Sequence, residues 1–269
     1  MFKCLLAAIA IVSHEPGYYT SLANHIQRWL RSEGVESTVI APPAMKNALG
    51  KTDLAFLVGF ASPSSDEINE LERFRARGGR LVVFHSASPR LAKLMGGNPI
   101  GYKTASYPGE WSRMSFSSNF PEGMPSSVRQ TSTVLQRARA IKGKSRVFAT
   151  WCDRTGKSTG EPAWIASAAG FWMTHVLLAD GDEDLKAQLC ASFVGAVKPS
   201  LWSVEKHNQR KKAKSAALRS FAMKQVPRRG EIHALWDHSG CGLYPGNWPK
   251  TMRVLQSARV TDLFVNVAG

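Results

Sequence analysis

Near the end of the chain Trp236, Asp237 and His238 stand in a row at the close of a short apolar run. A loop holding Tyr244 follows, and Asn266 lies at the close of a second apolar run. These residue types suit an uncharged ligand rich in hydroxyls. An aromatic face covers the flat apolar side of a ring, while carboxylate, imidazole and carboxamide groups exchange hydrogen bonds with hydroxyls. Each residue also has a plainer reading. Trp236 and Tyr244 are expected mainly to pack, whereas for Asp237 and His238 a ligand role and a loop-fixing role stand level.

A second constellation lies in the front half. The run Arg80–Ser86 leads into His85-Ser86-Ala87-Ser88, where a sharp strand-to-helix turn would carry a nucleophile in some α/β enzymes. It holds neither a cysteine nor flanking glycines. A serine alternative, Ser86 or Ser88 with His85 or His175, lacks the GxSxG frame. His14 and Glu15 close the first apolar run, at a sheet edge where ligands bind in open α/β folds. Cysteines 4, 152, 190 and 241 form no CxxC pair, so a zinc site or redox dithiol is not expected, and a disulfide stays open. Cys152 and Cys190 read as small buried apolar residues on a strand and a helix. Lys157 stands in no phosphate-cradling frame. No cofactor, metal or catalytic residue is assigned.

The elements that must position these groups follow from hydrophobic periodicity. Ile9–Ser13, Ser37–Ala41, Leu54–Phe60 and Arg80–Ser86 read as buried strands; Tyr19–Glu33, a helix capped by Ser64 or Ser65, and Ser88–Met95 alternate with them. This alternation predicts a flavodoxin-like, doubly wound parallel sheet. From Gly97 to Gly143 Gly, Pro, Ser and aromatics predict loops and short β segments, with Thr131–Ile141 and Ser145–Trp151 returning to the sheet. Pro162–Ile165, Phe171–Leu178 and a helix over Asp182–Val197 complete the domain. Glu231–Gly269 predicts a right-handed β-α-β unit, with Pro249 in the first helical turn and Met252, Leu255 and Ala258 on one apolar face. So small a unit buries too little to stand alone, and it is expected to open a longer structure.

The formal charge is +15, of which residues 206–230 supply nine basic side chains and no acid. A solvated helix and linker is the expected reading, since no stacking aromatics interleave the charge; no specific nucleic-acid binding is expected. Met1-Phe2-Lys3 and the apolar run after it have the form of a short export signal, with Ala8-Ile9-Ala10 like a cleavage site. No other apolar run is long enough to span a bilayer.

Two stretches carry a resemblance. LWDHSGCGLYPG (Leu235–Gly246), with the following helix and FVNVAG, resembles the opening of the barrel in bacterial glycosyl hydrolase-like family 10 proteins, which are distinct from the family 10 xylanases. GFWMTHVLLADGDE (Gly170–Glu183) is similar to the late strand-turn-helix of class I glutamine amidotransferase-like folds. The N-terminal pattern predicts a signal segment over 1–10 and the charge run a basic linker helix over 201–230. The resemblance implies an amidotransferase-like α/β domain over 11–200, which the missing cysteine makes non-catalytic, and a truncated (β/α)8 barrel over 231–269. It further implies a secreted or periplasmic carbohydrate-acting protein, with a homo-oligomer formed through the α/β domain. Glycoside hydrolysis uses two carboxyl groups across the bond. Only Asp237 is placed to be one, so the chain is expected to lack the pair. The alternative is a non-enzymatic ligand-binding or oligomerisation module.

Overall fold

The computed structural model describes residues 9–14, 17–117, 121–224, 233–237, 242–244 and 247–265. The chain divides into two compact units, Met1–His207 and Asn208–Gly269. In the first unit β1 (Ile9–Ser13), α1 (Tyr18–Ser32), β2 (Thr38–Ile40), α2 (Met45–Leu49), β3 (Leu54–Val58), α3 (Ser65–Ala76), β4 (Arg80–Phe84) and α4 (Pro89–Leu94) alternate. They are followed by β5 (Gly97–Thr104), β6 (Trp111–Phe116), β7 (Ser127–Ser132), β8 (Val134–Ala140), β9 (Ser145–Cys152), β10 (Ser158–Ser167) and β11 (Gly170–Met173). Helix α5 (Glu183–Val197) closes the unit, and α6 (Val204–Lys224) leads into the second.

The two-residue period of the strands decides the layers. Ile9, Ile11, Phe56, Val82 and Phe84 face α1 and α5, whose Leu22, Ile26, Leu189 and Phe193 complete one core. Ala10, Val12, Leu57, Leu81 and Val83 face the other way, against Leu49 of α2, Leu71 of α3 and Leu91 of α4. Each fully buried large side chain contributes about 1.5–3 kcal/mol relative to exposure. Helix α3 starts on a complete capping box: the Ser64 hydroxyl accepts the Glu67 N–H, and the Glu67 carboxylate accepts the Ser64 N–H.

The sheet runs β2-β1-β3-β4-β11-β10-β9-β6-β7. Its first five strands are parallel in the flavodoxin-like order, as the alternation predicts. The other half corrects that expectation: β11 to β7 pair antiparallel, so the sheet is mixed. The run Thr131–Ile141 does not return to the sheet as one strand. Its start belongs to β7, while β8 leaves to pair with β5 in a separate ribbon. Likewise Phe171–Leu178 is strand only to Met173, because the Thr174 hydroxyl donates to the Pro162 carbonyl and accepts the Trp151 Nε1–H, turning the chain. Gly170 lets β11 approach β4: its φ is +130°, and a Cβ there would lie 1.9 Å from the Leu81 carbonyl oxygen.

The second unit contains β12 (Ala234–Asp237), α7 (Trp248–Ser257) and β13 (Asp262–Val265), with the two strands parallel. This is the expected β-α-β arrangement. Asn247 caps α7 by accepting the Lys250 N–H, and Pro249 sits in the first turn. The inner face of α7 is Thr251 and Leu255, whereas Met252 is exposed, against expectation. The Gly242 backbone packs on Thr251, so a polar residue takes the place the apolar pattern assigns to its neighbour. Among the described residues no helix is long and apolar enough to cross a membrane.

Candidate functional site

In the second unit alternation separates the predicted residues. Asp237 turns toward α7, and its Oδ2 accepts the Gly242 N–H at 2.7 Å. It lines a hollow of about 260 Å³ with Leu235, Gly242, Thr251, Leu255 and Leu263, and Trp236 and Leu243 border the same hollow. The loop-fixing role is thus present for Asp237. By strand alternation the Trp236 ring turns to the opposite face, where it is 60% exposed and stacks on Phe264 at 5.7 Å between ring centres. Tyr244 donates its backbone N–H to the Thr251 hydroxyl and carries the Lys250 ammonium over its ring at 4.0 Å. His238 and Asn266 lie outside the described residues, as do Glu15, Cys4 and Cys241.

The front unit gathers polar groups at the C-terminal edge of its parallel strands. After β1, the His14 Nε2 lies 3.1 Å from the Glu67 carboxylate, with the ring against Phe60. Partial burial pushes the Glu67 carboxyl up, but the Ser64 and His14 hydrogen bonds outweigh it and hold the group below the usual carboxylate range. After β4 comes His85, a non-glycine residue at φ +53°. Its N–H donates to the Met173 carbonyl, and its Nε2 lies 3.3 Å from the Tyr102 hydroxyl. After β11 comes His175, whose Nδ1–H donates to the Val176 carbonyl at 2.9 Å while the ring meets Trp151 edge-on. Burial lowers the pKa of His85, and His175 lowers it further. His175 is lowered by burial, against smaller raising effects of the Val176 carbonyl and Asp180.

Two more groups close this edge. Gln136 is buried, donates its backbone N–H to the Thr174 carbonyl, and keeps its side-chain oxygen without a partner. It pairs directly with Tyr102 across the β5–β8 ribbon, which puts both side chains on one face. Neither Tyr102 nor Gln136 is legible as a site residue, because both lie in the Gly- and Ser-rich segment without clear period. The serine reading finds no support. Ser86 is buried with its hydroxyl accepting the Ser88 N–H, and the Ser88 hydroxyl caps α4 through the Leu91 N–H. Cys152 and Cys190 are free and buried on β9 and α5, and burial pushes both thiols up.

No family model matches the chain, and no curated protein matches it. Solved structures do. A ThuA-like protein from Bacteroides uniformis matches 71% of this chain and 92% of its own, at 12% identity and a TM-score of 0.52. The GH42 β-galactosidase Gan42B matches 74% of this chain and 31% of its own, at 16% identity and a TM-score of 0.54. α-L-Fucosidase isoenzyme 2 from Paenibacillus thiaminolyticus matches 73% of this chain and 34% of its own, at 12% identity and a TM-score of 0.53. At such identities the likeness is one of fold. The class defined is an α/β unit of the flavodoxin-like kind, shared with a ThuA-like protein and with a part of two larger glycosidases.

Proposed function

We propose that this chain belongs to a carbohydrate-acting protein of the glycosyl hydrolase-like kind. Its front unit is a non-catalytic amidotransferase-like domain, and its second unit is the opening β-α-β of a (β/α)8 barrel. Asp237, His238, Trp236, Tyr244 and Asn266 meet the glycan at strand ends, where such barrels build their sites. The observation that carries this reading is the aromatic face of the second unit's parallel pair. Trp236 and Phe264 stack there and are 60% and 51% exposed. Aromatic side chains so exposed on a parallel pair suit a sheet that closes on itself, where barrel closure would bury that face. The fold match of about three quarters of this chain to parts of two glycosidases supports the same reading.

On this reading Asp237 is the one carboxyl placed to flank a glycosidic bond, so the 269-residue chain alone is expected to hydrolyse no glycoside. The export signal, the homo-oligomer and the linker role of the basic helix belong to the same proposal. A panel of chromogenic glycosides tests it, with the gene's entire product and the 269-residue chain assayed side by side. Turnover by the first and none by the second is expected. Turnover by the 269-residue chain, or neither turnover nor glycan binding by the entire product, overturns the reading.

A further inference from the structure

We propose that the front unit holds a ligand site of its own, for the neutral hydroxyls of a small saccharide, built by His85, Tyr102, Gln136 and His175. It does not rest on the barrel reading, since all four residues belong to the first unit.

Position is the first argument. His85 and His175 follow β4 and β11, adjacent parallel strands, at the carboxyl edge where open α/β sheets receive ligands. The second is strain. A histidine at φ +53° stands in a conformation that glycine adopts at no steric cost, and such outliers persist where they place a side chain for a task. Here the turn delivers the imidazole to the Tyr102 hydroxyl. The third is the Gln136 carboxamide, 3% exposed, whose oxygen has no partner on the face it shares with Tyr102. Buried polar atoms are almost always paired, so an unpaired one marks a place where a partner belongs.

The chemistry of the set selects the ligand. The His175 Nδ1 lies 2.9 Å from the Val176 carbonyl, which only accepts, and 3.3 Å from the Gln130 amide; the shorter contact favours the proton on Nδ1, leaving Nε2 with a lone pair. Burial keeps both imidazoles neutral at pH 7. A phenol, a carboxamide and two neutral imidazoles offer donors and acceptors without net charge. Among the described residues no Lys or Arg forms a hydrogen bond or ion pair with any of the four, and the carboxylate of Asp180 acts on His175. An anion such as phosphate finds no counter-charge, while a sugar hydroxyl, donor and acceptor at once, fits. The Tyr102–His85 contact is long at 3.3 Å and the phenol is 56% exposed, so a ligand hydroxyl can take the imidazole by displacing it.

Histidine imidazole resonances of the full chain, titrated separately with D-galactose, D-mannose, L-fucose and inorganic phosphate, test the site. At least one sugar should shift the His85 and His175 signals saturably, with a Kd on the order of millimolar, leaving His25 still. His85→Gly should weaken that sugar about tenfold or more, since it removes a ligand contact while glycine still adopts the left-handed backbone. Gln136→Leu should weaken it likewise. No sugar shifting either signal, shifts from phosphate in their place, or affinity retained in His85→Gly each overturn the site. Glycan turnover by the entire gene product is a separate readout, so the barrel reading and this one fail independently.

Discussion

Replacing Lys186 by methionine separates two accounts of a buried ammonium. The Lys186 side chain is fully enclosed in α5, and its Nζ donates to the Leu178 carbonyl at 2.8 Å, to the Asp180 carbonyl and to the Asp180 carboxylate at 2.8 Å. Burial lowers its pKa, with Asp180 acting in the opposite direction. Had it faced only a carboxylate, an apolar replacement of equal length would be near neutral or stabilising. Two of its three acceptors are backbone carbonyls, however, and no side-chain exchange removes those. Methionine keeps the apolar stem and avoids the ammonium's desolvation, while the Asp180 carboxylate, 45% exposed, returns to water. The two carbonyls lose their donor at about 1 kcal/mol each, the low end because both residues are partly exposed. The expected loss is about 2 kcal/mol, or roughly 4–8 °C in melting temperature for a domain of this size. Urea unfolding followed by tryptophan fluorescence reads mainly the first unit, which holds six of the eight tryptophans. Hydrogen exchange should also quicken over residues 174–181, the segment Lys186 ties down. A methionine variant as stable as the parent would show that the carbonyls never needed the ammonium, and the reasoning would fail.

The remaining expectations concern other parts of the molecule. His85 and His175 should titrate below the ordinary histidine value of about 6.5. As pH falls through that value the unfolded chain binds protons that the native state refuses. Their stability contribution is therefore present above it and lost as pH drops through the folded values. Imidazole NMR titration checks this, and either ring titrating at or above 6.5 contradicts it. Gly170→Ala should cost more than about 3 kcal/mol or abolish soluble folding, because its Cβ would overlap the Leu81 carbonyl; a urea midpoint equal to the parent's refutes it. Trp236→Ser with Phe264→Ser should reduce binding of an apolar fluorescent dye, since the two rings are the exposed aromatic stack of β12–β13; dye binding equal to the parent's refutes it.

The front half was legible where local signals and burial agreed. Leu54–Val58 is apolar throughout and buried on both faces, and Ser64 with Glu67 three residues later is a cap that a sequence shows directly. Legibility fails where tertiary contacts decide. β5, GNPIGYKT, carries two glycines and a proline, and a bulge between Pro99 and Gly101 breaks its period, so its pairing with β8 is invisible. His85 gives no local sign of its left-handed backbone, because the sheet imposes that conformation and the residue type does not. Lys186 reads as a surface residue of α5 until the three oxygens around it are seen. Of the predicted barrel residues, Asp237 holds a loop amide, and the Trp236 ring stands on the other face.

The place of β11 in the sheet has a consequence for how the chain folds. β1, β3 and β4 find one another through short connections, whereas β11 joins β4 only after residues 85–169 have looped away and come back. Closure entropy grows slowly with loop length, but non-local pairing still delays the rate-limiting step. The adjacency of His85 and His175 is created by that last docking. Recovery of their mutual proximity during refolding therefore clocks completion of the first unit, while helix signals recover earlier.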